Sequence, residues 1–104
     1  MPKQKRGEVW LVDLGMVAKV RPCLVISTPA LVRDRALVTV VTHTTSTRDS
    51  RFEIRIKTKF LETGAFDTQS LITVSEAKLL RKLGDLLPDQ LSAVEKAVRQ
   101  WLEL

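Results

Sequence analysis

The chain has 104 residues, enough for one domain around one core (1–104), and 44% of them are hydrophobic, an ordinary value for a soluble globular protein. Seventeen Lys and Arg against twelve Asp and Glu leave a net charge of +5, which favours polyanionic partners without saying which. A single Cys and a single His rule out an internal disulfide and an ordinary zinc set; with no calcium-loop spacing, no leader and no apolar stretch of bilayer length, a cytoplasmic protein needing no metal or cofactor is expected.

In chain order, the basic start Lys3, Lys5, Arg6 reads as a solvated terminus. Short apolar runs rich in Val and Ile then predict strands over 7–14, 22–27, 36–42, 52–57 and 69–74. Arg21-Pro22 opens the second of these, directly before Cys23-Leu24-Val25-Ile26. Proline suits a strand start, so this dipeptide is first a structural signal. It also sets a permanently charged, planar guanidinium at the mouth of a strand, where bidentate phosphate contact is available to it. Cys23, among apolar neighbours, reads as a small core residue and not as a nucleophile.

Thr42 to Arg51, between the third and fourth strands, collects hydroxyls, the imidazole of His43 and the guanidiniums of Arg48 and Arg51. Such loops are often solvated connectors, because their side chains bond to nearby backbone. Phe52, Ile54 and Ile56 alternate with Glu53 and Arg55, the pattern of a half-buried strand. Ser75 can cap a short helix beginning at Glu76, Gly84 marks a stop or turn, and the residues leave Leu80 to Leu86 open between helix and strand. Leu91, Val94, Val98, Trp101 and Leu102 recur at helical spacing behind Pro88-Asp89, predicting a closing amphipathic helix with Trp101 packed on its apolar stripe. Strands followed by one helix imply a mainly β member of the α+β class: a small, strongly bent antiparallel sheet or partial barrel with the helix over one opening.

Gly7-Glu8-Val9-Trp10-Leu11-Val12-Asp13-Leu14, then Arg21-Pro22-Cys23-Leu24-Val25-Ile26-Ser27, the strand ending at Thr42 and the Leu-rich final helix together resemble the MazF/PemK toxin family, over about Lys5 to Leu104. The resemblance implies a small SH3-like barrel and a homodimer. It also implies a sequence-selective endoribonuclease of a type II toxin-antitoxin system, acting on single-stranded RNA and neutralised by a cognate antitoxin with an acidic, partly disordered segment. It places the family's catalytic Arg on Arg21 and its Thr on Thr42, with Thr44 as the alternative, and it makes Leu80 to Leu86 extended. The chain departs from the family where many members carry Gln-Ile-Arg-Thr: Ser70 and Ile72 take the Gln and Arg positions. The connection from Asp13 to Arg21 is also short.

RNA cleavage by the ribose 2′-hydroxyl, leaving a 2′,3′-cyclic phosphate and a 5′-hydroxyl, needs little from the protein beyond deprotonation, phosphorane stabilisation and protonation of the leaving oxygen. On this reading Arg21 holds the phosphate, Thr42 bonds a non-bridging oxygen or orients the nucleophile, and His43 is the candidate for proton transfer. Adjacent strand residues point to opposite faces, so Thr42 and His43 share a site only where the strand ends or bulges. Lys19, Thr44, Ser46, Arg48 and Arg51 are the candidate RNA contacts. Two other readings stay open: a catalytically weak or inactive RNA-binding relative, and, more distantly, a CcdB-like toxin that binds DNA gyrase.

Overall fold

A computed structural model describes residues 4–15 and 19–104. Within them run β1 (Glu8–Asp13), β2 (Val20–Val25), β3 (Leu37–Thr44), β4 (Glu53–Ile54), β5 (Ala65–Ser75), a 3-10 turn (Glu76–Lys78), β6 (Leu79–Asp85) and α1 (Pro88–Leu102). The strands form one antiparallel sheet in the order β4-β5-β3-β2-β1-β6. Its two ends, β4 and β6, do not pair with each other, so the sheet is bent and open and not a closed barrel.

Strand alternation gives the sheet two apolar faces. On one, Val9, Leu24, Val41 and Phe66 are fully buried and α1 closes over them with Val94 and Val98. On the other, Val12, Cys23, Val25, Val38 and Val40 form a second cluster flanked by Trp10, Ile72, Val74 and Leu79. Each fully buried Val, Leu or Phe side chain contributes about 1.5–3 kcal/mol relative to exposure.

The helix starts at Pro88, whose missing N–H would be unbonded there in any case, while the preceding Leu87 N–H donates to Gln90 Oε1 at 2.8 Å. Asp89 in the first turn and Arg99 in the last complement its dipole. Trp101 is less enclosed than its place on the stripe predicts. It meets Phe52 edge-on at 5.5 Å but stays 43% exposed. Arg6 is not merely solvated: it pairs with Glu95 of α1 and donates from Nε to the Ile26 carbonyl at 3.0 Å. Lys3 lies outside the described residues, as do residues 16–18 of the connection from Asp13 to Arg21.

Two strands differ from their sequence pattern. The alternation of residues 52 to 56 holds in burial, with Phe52 and Ile56 in the core, but only Glu53 and Ile54 pair, opposite Asp67 and Phe66. The partner strand starts at Ala65, which falls opposite Arg55, so the ladder has at most one more residue to continue on. Conversely β5 begins four residues before the predicted 69. Its partner on β3 jumps from Leu71 opposite Val41 to Asp67 opposite Thr42, a bulge. Inside it, the backbone N–H and Oγ1 of fully buried Thr68 both donate to the Phe52 carbonyl, at 3.0 and 2.6 Å. The segment left open in the sequence is strand: β6 pairs with β1, after a 3-10 turn in which Ser75 Oγ accepts from Ala77 N–H at 3.4 Å.

Candidate active site

Arg21 is the second residue of β2, and Cys23, two residues on, stands opposite Thr42 of β3. Alternation puts Thr42 on the Cys23 side of the sheet, and it is 95% buried there. His43 falls on the other side, against Phe66 of β5. Thr44 ends the strand, and its Oγ1 accepts from Ser46 N–H at 3.0 Å, which turns the chain. Gly64, just before β5, lets the chain pass close to that strand end: a Cβ there would lie 2.1 Å from the Thr44 carbonyl oxygen.

A cleft of about 420 Å³ opens off these strand ends, a volume suited to a small organic ligand or part of a polymer. Arg21, His43, Thr44 and Ser46 line it, and Thr42 does not. Four of the candidate residues therefore line one cleft; Thr42 does not, although alternation puts it on the same side of the sheet as Cys23 and Arg21. Lys19, Arg48 and Arg51 are exposed outside the cleft lining. Arg51 stacks on the Phe52 ring at 4.5 Å, and the Arg48 backbone N–H donates to Glu53 Oε1 at 2.9 Å. Ile72, at the family's Arg position, packs against the second apolar cluster.

Sequence reasoning missed two charged cleft residues, Glu62 and Arg81. Arg81 arrives because β6 crosses back to pair with β1, a topological fact that no local pattern carries. Glu62 comes from the connection between β4 and β5. It faces His43, whose pKa burial lowers and the Glu62 charge partly restores. His43 Nε2 is buried with no hydrogen-bond partner among the described residues. An imidazole so placed is neutral at pH 7 and can accept a proton. Among the described residues no three His, Cys, Asp or Glu side chains converge on a candidate metal site, and no helix is long and apolar enough to cross a membrane.

The chain is thus a bent six-stranded antiparallel sheet with a terminal helix and a cleft, lined by Arg21 and Arg81, where β2 begins and β3 ends. The model of the PemK-like, MazF-like toxins of type II toxin-antitoxin systems matches residues 5–102, and the chain belongs to that family. Among solved structures it is similar to a mycobacterial endoribonuclease in complex with its cognate antitoxin, at 27% identity and TM-score 0.83, covering 97% of this chain and 96% of that one. A second mycobacterial endoribonuclease matches at 26% identity and TM-score 0.82, covering 100% and 95%. The MazE-MazF complex of Deinococcus radiodurans shares the fold at 16% identity and TM-score 0.84, covering 100% and 99%. No curated protein matches the chain.

Proposed function

We propose that this toxin is an endoribonuclease that cuts single-stranded RNA in the cytoplasm by internal attack of the ribose 2′-hydroxyl, without a metal ion. The observation that carries the reading is the convergence of Arg21, His43 and Thr44 on one cleft in a family member similar to mycobacterial endoribonucleases. In this reading Arg21 neutralises the scissile phosphate as negative charge builds on the phosphorane. Thr44 is preferred to Thr42 as the hydroxyl that bonds a non-bridging oxygen, since it lines the cleft while Thr42 is 95% buried beside Cys23. His43, neutral and lining the cleft, is the candidate to take the 2′-hydroxyl proton, against a burial that disfavours its charged form and with Glu62 offsetting part of that cost. The antitoxin of the mycobacterial relative supports a cognate antitoxin as this chain's partner, with an acidic segment competing for the same cations. A homodimer, as the family resemblance implies, is the proposed assembly.

The two threonines give a direct test. Thr44→Ala is expected to lower kcat on single-stranded RNA by about 100-fold, the scale of one lost oxyanion donor, with the fold intact. Thr42→Ala is expected to lower stability more than turnover. The reverse pattern would return the role to Thr42.

A further inference from the structure

Leu11 of β1 stands opposite Pro22 of β2 on one side and Arg81 of β6 on the other. Adjacent strands lie about 4.8 Å apart, so the backbones carrying Arg21 and Arg81 run about 10 Å apart along one cleft wall. Both residues are exposed and line the cleft. No carboxylate of the described residues lies within ion-pair distance of Arg81, which sits between Leu80 and the ion-paired Lys82. A cation left without a protein partner at a ligand-sized opening is available to an anion.

The same cleft has apolar lining that includes Phe60 and Leu83. Phe60 is held there by an omission in β6. A Cβ on Gly84 would fall 2.5, 2.6 and 2.8 Å from three carbons of the Phe60 ring, so the ring rests against backbone that only glycine leaves bare. A guanidinium and a half-buried aromatic ring lining one cleft match the two halves of a nucleotide, whose phosphate seeks charge and whose base seeks a stacking surface.

We propose that Arg81 and Phe60 form a second nucleotide subsite beside the scissile phosphate, with Arg81 holding the phosphate of an adjoining nucleotide and Phe60 stacking on its base. This rests on the endoribonuclease reading above. Arg21 then acts at the bond that breaks, while Arg81 and Phe60 position the strand and favour particular bases next to the cut.

The test uses the full chain, mixed-sequence RNA to map cuts, and a single-stranded oligonucleotide covering a mapped cut, both as RNA and as an uncleavable 2′-O-methyl form. Arg81→Ala is expected to bind the 2′-O-methyl form about tenfold more weakly. The slope of log K against log salt should fall in magnitude by about 0.7, the value for one lost phosphate contact on a single strand. KM should rise more than kcat falls. Arg81→Lys should recover the salt slope but less of the affinity, since it keeps the charge and loses the fork. Phe60→Leu should broaden the base preference next to the cut. Arg81→Ala with wild-type affinity and salt slope overturns the phosphate contact, and an unchanged cleavage profile in Phe60→Leu overturns the base contact. Wild-type protein that neither binds nor cuts RNA overturns the endoribonuclease reading itself; active wild type with indifferent variants overturns the subsite alone.

Discussion

His43 stands edge-on to Phe66, with ring centroids 5.1 Å apart and ring planes at 74°. The contact ties a cleft residue to the centre of the main core, since Phe66 is fully buried and His43 is only 4% exposed. It is also why the imidazole resists protonation: charging it would strand a cation against an aromatic edge away from water, and Glu62 offsets only part of that cost.

Stability should therefore depend on pH through His43. In the unfolded chain it titrates near 6.5 and in the folded protein lower. Between those values the unfolded state binds more protons, so stability is full above the unfolded pKa and is lost as pH falls through the folded one. Urea unfolding at about pH 7.5 and about pH 5.5 should show a larger loss for wild type than for His43→Gln. Equal losses would mean that the ring is not held neutral.

A second buried ionisable group fixes the start of the chain to the last strand. Glu8, 8% exposed, accepts at Oε1 from Lys5 N–H at 2.8 Å and from Trp10 Nε1 at 3.0 Å, and its Oε2 lies 3.1 Å from Lys82 Nζ. Burial would raise its pKa, but the Trp10 and Lys5 hydrogen bonds and the Lys82 ammonium outweigh burial and hold it below the usual 4.5. Glu8→Ala strands two donors and is expected to cost about 1–3 kcal/mol in urea unfolding. The wild type should lose the Glu8 contribution as pH falls below 4.5 through the folded pKa, and the variant should lack that component. A variant as stable as wild type would contradict the network.

The parts of this fold legible in sequence are those where local pattern and long-range pairing agree. β1, β2 and α1 combine apolar runs with clear signals at their ends, and the structure keeps them nearly as read. Residues 52–57 have the alternation of a strand but lack a partner beyond Ile54, and pairing is a property of β5. Asp67 and Thr68 look like loop because their polar atoms serve a bulge, where Thr68 bonds to Phe52 sixteen residues away. At the candidate site, the strand-opening proline draws attention to Arg21, and the fold sets that residue in the cleft lining. The proposed preference for Thr44 over Thr42 rests on β3 running two residues past its predicted end, with Thr44 in the cleft lining. Arg81 was out of reach, since only the pairing of β6 with β1 brings it there.

Cys23 is expected to be inert in the folded protein. It is fully buried, and burial pushes its thiol up to about 12 even though the Arg21 charge pulls the other way. A thiol reagent at about pH 8 should leave native protein unmodified and label it fully in guanidinium, since the thiolate is the reactive form. Rapid labelling of native protein would show that the second apolar cluster opens.

The most direct measurement is incubation of purified wild type and Arg21→Ala with mixed-sequence single-stranded RNA in excess EDTA, with the product ends mapped. The expected result is discrete cuts bearing 2′,3′-cyclic phosphate and 5′-hydroxyl ends, with turnover falling about 100- to 1,000-fold in the variant as one preorganised charge at the phosphorane is removed. RNA left intact by wild type, or cut equally well by both proteins, would contradict a ribonuclease centred on Arg21.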